Sequence, residues 1–376
     1  MKSIHQNLNK PSPYFFFPTQ LEIHLSDRCN LDCDYCFVNR NRAPGKTLNF
    51  LQVKKAIDIF LALPPKHKTV TFTTSEPFMN FWLYKKSVNY LLNKKKSGQK
   101  IQIVTTTNGL LVGKQAAEFV YDKIDDKDFY FNVSLDGVKE THNKHRKIKN
   151  APNVSTFEKS WKNFCQLPKS KVRISTIITP DQVDFLEQNV NFFFSNGFLN
   201  LDLFPQMFYL WSADELKRLK NNLINLIKKL NRRRDHHYNL RLLNRLWGAS
   251  HYAKLLLGPD ANFYLCEWVL PLTLKEREKY LIGDVNSGIK LRQRHRLFLQ
   301  LFLEMAQATN NKCLKCRYRA FCAFPLPLWL WSRCYRYNFA KYFNNFCAIA
   351  KIFIESAKLI DERFKNKLDM EKLSAC

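Results

Sequence analysis

Cys29-Asn30-Leu31-Asp32-Cys33-Asp34-Tyr35-Cys36-Phe37 follows an extended stretch, Gln20 to Leu25, in which every second side chain is apolar. The three thiols are spaced C-x3-C-x2-C, close enough along the chain to wrap one small inorganic group. An iron–sulfur cluster is ordinarily held by four thiolates. Three therefore leave one iron open to bind something else. A structural zinc site needs a fourth ligand close by, and none is obvious. A zinc loop or a chance grouping stays open on spacing alone.

Outward from this loop, apolar runs of strand length alternate with runs of helical period. Strands are predicted at about 20–25, 69–74, 101–106, 129–135, 172–178 and 199–204, and helices at about 49–62, 80–95, 114–124, 155–166, 182–196 and 213–231. Asn80 can cap the second helix, and Ser212 with Glu215 makes a capping box for the last. Six βα units in series imply a parallel sheet with right-handed crossovers. Six are too few for an eight-stranded barrel, so the expected fold class is α/β, a partial (β/α)6 TIM-like barrel. Ligands of such sheets sit at the C-terminal strand ends, where the cysteine loop falls. After about residue 235 the rhythm breaks. A hairpin-like segment (Asn262 to Ile282) precedes a helix near Lys290 to Ala308, a cysteine cluster and a final helix near 337–360. The expected organisation is an N-terminal extension (1–18), the partial barrel (19–235) and a cysteine-rich C-terminal domain (236–376).

The chain has 376 residues and 11 cysteines. No signal peptide or spanning segment is recognisable, since the apolar patch Tyr14 to Phe17 is too short. Grouped thiols without secretion read as metal ligands rather than disulfides, and a cytoplasmic setting with no membrane partner is expected. The net charge is +28. Its lysines are spread over helix faces (Lys94 to Lys96, Lys228-Lys229, Lys365, Lys367), and only Arg232-Arg233-Arg234 is dense. That pattern reads as solvated faces plus compositional drift, with an acidic peptide or nucleic acid partner as the alternative.

The C-x3-C-x2-C run with the aromatic Phe37 behind it resembles the radical SAM superfamily. The resemblance implies a 4Fe–4S cluster on Cys29, Cys33 and Cys36, with S-adenosylmethionine (SAM) as the fourth ligand and Phe37 beside it. Thr74-Ser75-Glu76-Pro77 stands where that superfamily usually carries Gly-Gly-Glu-Pro. Glu76 would hold the methionyl amino group. The two glycines, which let backbone approach the ligand, are absent. Thr107-Asn108-Gly109 resembles the superfamily's third-strand turn, which places Asn108 in the pocket. Val133-Ser134-Leu135-Asp136-Gly137 with Glu140, His142 and Arg146 resembles its fourth-strand signature; Ser134 would contact the cofactor and Asp136 organise the turn. Arg173 is either a two-bond partner for a carboxylate or a strand-face charge. His142 and His145 read as turn or surface histidines.

The C-terminal cysteines carry a second resemblance. Cys313, Cys316, Cys322 and Cys347 resemble the SPASM extension of peptide-modifying members, as do Asp260-Ala261-Asn262-Phe263-Tyr264-Leu265-Cys266-Glu267 and Ile282-Gly283-Asp284. It implies four thiolates for an outer auxiliary 4Fe–4S cluster. The inner one retains only Cys266 and, after an insertion, Cys334. One auxiliary cluster is expected, or two if the second has unusual ligands; zinc remains the alternative for the complete set. Glu267 is either an acceptor of a substrate proton or a hairpin carboxylate. Pro325 to Trp331 is apolar enough to dock a peptide or to form a buried loop. Cys165 and Cys376 match nothing.

The resemblance thus implies an enzyme that reductively cleaves SAM and abstracts hydrogen from a peptide or protein side chain, in crosslinking or oxidative maturation. A precursor peptide or protein substrate and a reductant such as flavodoxin or ferredoxin are the expected partners. With the first strand near residue 20, a separate peptide-recognition protein or the basic surface would bind a leader. Nucleic acid is not the expected partner. An RNA-modifying radical SAM enzyme and a non-catalytic cluster-bearing protein are the competing readings.

Overall fold

The computed structural model describes residues 17–38, 45–64, 66–232, 239–242, 253–318, 322, 329–330, 332 and 339–360. Strand β1 (Gln20–Ile23) buries Leu21 and Ile23 completely, as its alternation dictates. It pairs in parallel with β2 (His67–Phe72), and the array continues through β3 (Lys100–Thr107), β4 (Phe129–Ser134), β5 (Val172–Ile178) and β6 (Asn200–Pro205). Between them run α1 (Phe50–Ala62), α2 (Phe81–Lys96), α3 (Lys114–Tyr121), α4 (Lys139–His145), α5 (Thr156–Phe164) and α6 (Leu186–Ser195), with α7 (Ala213–Arg232) after β6. Helix α1 shows why they dock. Val53, Ala56, Ile57 and Phe60, at i, i+3, i+4 and i+7, are all fully buried, one apolar stripe against the sheet. Burying one such large side chain contributes about 1.5–3 kcal/mol. The predicted caps form: Asn80 Oδ1 accepts from Leu83 N–H at 3.2 Å, and Ser212 and Glu215 exchange bonds in the capping box.

The six expected strands are present, but among the described residues the parallel array has eight. Beyond β6, β7 (Asn239–Arg241) adds at one edge. At the other end β8 (Lys254–Leu257) pairs in parallel with β1, Gln20 opposite Lys254 and Ile23 opposite Leu257. From β8 the sheet turns antiparallel through β9 (Asn262–Tyr264), β10 (Leu281–Asp284) and β11 (Gly288–Ile289). Among the described residues the 11-stranded order runs from β11 to β7 without closing. Strands from both sides of residue 235 therefore share one sheet. The hairpin-like segment is not a tight hairpin, since residues 265–280 hold a 3-10 turn (Glu267–Val269) and a one-turn helix (Leu274–Arg277). Two further departures are local. Helix α4 has few apolar residues and was not predicted, and the stretch before α6 begins as a 3-10 turn at Pro180.

Helix α8 (Leu291–Ala308) packs under the antiparallel part, and α9 (Phe339–Ala357) docks near the mouth of the parallel array. Asn345 on α9 accepts from Trp211 N–H at 3.1 Å and donates back to the Trp211 carbonyl at 2.5 Å. This amide brace fixes the cysteine-bearing helix to the loop after β6. No described helix is long and apolar enough to cross a membrane.

Gly109, just after β3, has a positive φ of 82°, and a Cβ there would sit 2.0 Å from Phe164 Cζ. Gly109→Ala is expected to lower stability by about 2–4 kcal/mol through the left-handed backbone and overpacking. The urea midpoint should fall while the slope of the transition stays unchanged.

Candidate active site

The C-terminal ends of β1 to β6 carry most of the residues singled out in the sequence. Cys29, Cys33 and Cys36 are half-buried in the loop after β1. The segment after α4 holds that loop from one side. Asp32 N–H donates to the Lys147 carbonyl at 2.8 Å, Asp34 N–H to the His145 carbonyl at 3.2 Å, and Leu31 bridges to Ile148. From the other side Gln206 Nε2 donates to the Tyr35 carbonyl at 3.0 Å. Burial pushes the Cys33 thiol well up, Arg146 opposes it, and Cys36 and Cys29 push further. Three thiols this close cannot all ionise without positive charge among them. Their soft sulfur donors fit an iron–sulfur group. Among the described residues no three His, Cys, Asp or Glu side chains close round a single ion-sized point.

Glu76 is the hub beside them. It is buried, and its Oε1 accepts from Phe78 N–H at 3.1 Å and Thr107 Oγ1 at 2.8 Å, while Oε2 accepts from Asn108 N–H at 2.8 Å. Burial drives its carboxyl up to about 7 against those three donors. Asn108 Nδ2 then reaches Asn30 Oδ1 at 2.8 Å and lies 3.9 Å from Cys29 Sγ. Glu76, Asn108 and the first thiol are thus physically joined. Thr74 keeps a left-handed backbone at φ 84°, although it has a branched side chain. Its buried Oγ1 has no hydrogen-bond partner. Ser75 Oγ donates to the Ser26 carbonyl, three residues beyond β1. The glycine-type conformation survives at Thr74 without the glycine.

Ser134 ends β4 opposite Ser175 and is half-buried. Arg173, on β5, is buried and gives Nη1 to Asp202 Oδ1 on β6 at 2.9 Å; a cofactor carboxylate would have to share it. His142 and His145 are buried rather than at the surface. His142 is driven down to about 3 by burial and then by Arg146. His145 Nδ1 lies 3.3 Å from Asp34 Oδ2.

At the β1–β8 junction Lys254 Nζ bridges Glu267 Oε1 at 2.6 Å and Glu22 Oε1 at 3.1 Å. All three are largely buried, and burial followed by Glu267 pushes Glu22 up to about 7. Cys266 is buried in an apolar cluster against which Cys36, Phe37 and Trp268 also pack. The rings of Phe37 and Trp268 lie 4.6 Å apart, tilted by 32°, and Trp268 meets Phe208 edge-on at 5.4 Å. Burial raises the thiols of Cys313 and Cys347, Cys347 and Cys316 push that of Cys313 further, and Cys316 pushes that of Cys347. Cys322 packs on the same apolar surface as Cys313. Cys334, Cys376 and most of Pro325 to Trp331 lie outside the described residues.

Sequence reasoning missed Tyr35, Gln206, Glu22 and Lys254. Tyr35 sits inside the cysteine run and Glu22 in the strand before it, so proximity to the motif was a signal. Gln206 and Lys254 carry no local signal at all; only strand pairing brings them in.

A profile of the radical SAM superfamily matches residues 23–184. Uncharacterized protein MJ0907 of Methanocaldococcus jannaschii is 30% identical over 238 residues, 63% of this chain and 74% of that protein. A cysteine-type anaerobic sulfatase-maturating enzyme of Clostridium novyi is 28% identical over 194 residues, 48% of this chain; the chain spans about half (49%) of that enzyme's length. A GTP 3′,8-cyclase of Clostridium perfringens is 26% identical over 221 residues, 56% of this chain and 62% of the cyclase. In fold, the chain is similar to native anSMEcpe with bound AdoMet and Cp18Cys peptide, with a TM-score of 0.68 at 20% identity, covering 93% of this chain and 98% of that one.

Thr74→Gly is expected to raise the stability of the ligand-free protein by about 1–2 kcal/mol, because it relieves the left-handed strain and removes the orphan hydroxyl. Chemical denaturation of the wild type and the variant under identical conditions checks the sign.

Proposed function

The chain belongs to the radical SAM superfamily, and from that premise we propose that this enzyme matures a peptide or protein by hydrogen abstraction from a side chain. The observation that carries the reading is the second thiol group, in which Cys347 from α9 lies within electrostatic reach of Cys313 and Cys316 beside the barrel mouth. A SAM-cleaving centre alone needs no such group. The likeness to a sulfatase-maturating enzyme supports the same reading.

When bound, the superfamily's 4Fe–4S cluster and SAM would supply hydrogen-atom abstraction, with SAM split to methionine at the cost of one electron. In this reading Cys29, Cys33 and Cys36 hold the cluster. Glu76 and Asn108 hold the amino-acid end of SAM, with Ser134 and Phe37 beside it and Arg173 sharing its carboxylate contact with Asp202. Phe37, Trp268 and Phe208 form an apolar wall that keeps water from a radical site. Glu267, held by Lys254, accepts a substrate proton, and Glu22 lies in reach to share it. Cys313, Cys316, Cys322 and Cys347 hold one auxiliary 4Fe–4S cluster; Cys266, with Cys334, is the remnant of a second. A flavodoxin or ferredoxin supplies the electron, and a separate protein presents the peptide. The likeness to a GTP 3′,8-cyclase favours a second reading, a small-molecule substrate.

Anaerobic reconstitution with iron and sulfide, followed by SAM and a reductant, tests the proposal. About eight irons per chain are expected, and Cys347→Ala should lower that by about four while SAM cleavage persists. Production of 5′-deoxyadenosine should rise with a cysteine- or serine-bearing peptide and not with GTP. Stimulation by GTP alone would sink the peptide reading.

The pH dependence of SAM binding follows from Glu76. An ammonium is held by the ionised carboxylate, and with the free group at about 7 binding must expel a proton below that pH. The dissociation constant is expected to fall about tenfold from pH 6 to pH 8. Glu76→Gln should bind more weakly with a flat profile, as read by calorimetry.

A further inference from the structure

Asp136, Arg146 and Tyr35 make a buried ionic clamp beside the first three cysteines that no step above uses. Arg146 gives Nε to Asp136 Oδ2 at 2.8 Å and Nη2 to Asp136 Oδ1 at 2.9 Å. Tyr35 donates its hydroxyl to the same Oδ2, and Ile177 N–H donates to Oδ1 at 3.1 Å. The guanidinium carbon lies 5.4 Å from the centroid of the Tyr35 ring. Asp136 is 1% exposed and Arg146 7%. Tyr35 stands between Cys33 and Cys36 in the chain, so the clamp reaches directly into the thiol loop.

Holding the loop in place does not call for this arrangement. Backbone bonds from Asp32, Asp34 and Leu31, together with Gln206, already anchor it. A buried ion pair also contributes little more to stability than apolar residues of the same volume. Its distinctive property is charge in a dry place. Arg146 lies against the Tyr35 ring and shares its carboxylate partner with the Tyr35 hydroxyl, so its charge stands next to the loop that carries Cys33 and Cys36. His145, itself buried, is balanced by Asp34 and Asp181, while Lys147 lies at the rim facing Asp34, both over a third exposed. Solvent screens that rim pair; it does not screen the clamp.

We propose that Arg146 is a positioning residue that sets the reduction potential of the cluster held by Cys29, Cys33 and Cys36. Asp136 fixes the guanidinium in place and partly offsets it. One-electron reduction adds a negative charge to the cluster, and a buried cation nearby stabilises that charge and raises the potential. Removing the cation therefore lowers the potential, and removing the opposing anion raises it.

The inference rests on those three cysteines holding the cluster, and the wild-type protein checks that separately through its iron content and the response of its reduced EPR signal to SAM. Without that signal, the proposed function fails before the clamp comes into question. With it, potentiometric EPR titration of the SAM-free holoenzyme is the test. Arg146→Gln should move the midpoint negative, Asp136→Asn should move it positive, and Arg146→Lys should stay closer to wild type than Arg146→Gln. A structural role would not produce shifts of opposite sign. An unchanged midpoint in Arg146→Gln, or shifts of both neutral variants in one direction, would overturn the assignment. Should Arg146→Gln take up no iron, Arg146→Lys decides. A loaded cluster near the wild-type potential supports the charge. Failure of this variant too to load assigns Arg146 to folding and overturns the proposal.

Discussion

The parallel pairing of β1 with β2 on one side and β8 on the other is the constraint on which the rest depends. A strand hydrogen-bonded on both edges cannot slide by one residue without turning every buried side chain outward. Leu21 and Ile23 are therefore held toward the helices, and the cysteine loop leaves the sheet at one fixed place. The same pairing brings Lys254 diagonally across from Glu22, so the β1–β8 seam is ionic as well as backbone-bonded. Because β8 comes from beyond residue 235, the C-terminal region is built onto the barrel through the strand that launches the first three thiols. The aromatic contact of Phe37 with Trp268 and the amide brace of Asn345 then follow from the same placement.

Around that seam the molecule collects buried charge at the strand ends. Glu76 is surrounded by donors from β3 and the turn that follows its own strand. Asp136 is held below the usual carboxylate range by Arg146 despite a burial that acts against it. Lys254 sits between two carboxylates. Each of these groups costs desolvation, and each is placed where two or three strands converge to supply its partners. The strained Thr74 belongs to the same pattern, since local rules are broken where a site needs them broken.

The core strands and helices were legible because their apolar spacing has a period of two or 3.6 over runs long enough to count. Strands β7 and β9 to β11, of two to four residues, are too short to show a period. Strand β8 is Lys254 followed by three leucines, a run that suits a strand buried on both faces but does not say which strand it joins. The site was legible where its residues are adjacent in sequence, as at Cys29 to Phe37 and Thr74 to Pro77. Burial of His142 and His145 was not, because it depends on Phe157 and other groups packing over α4.

By itself the sequence determined that three thiols form one loop at the end of a first strand, that βα units follow in series, and that further cysteines gather near the C-terminus. Those are properties of spacing, which folding cannot change. Only the tertiary structure decided that Arg173 is already paired with Asp202, that Lys254 joins Glu22 to Glu267, and that Arg146 reaches the thiol loop through Asp136 and Tyr35. The reason is physical: a polar contact between groups about 30, 100 or 230 positions apart is set by which strands lie side by side, and no local pattern encodes that.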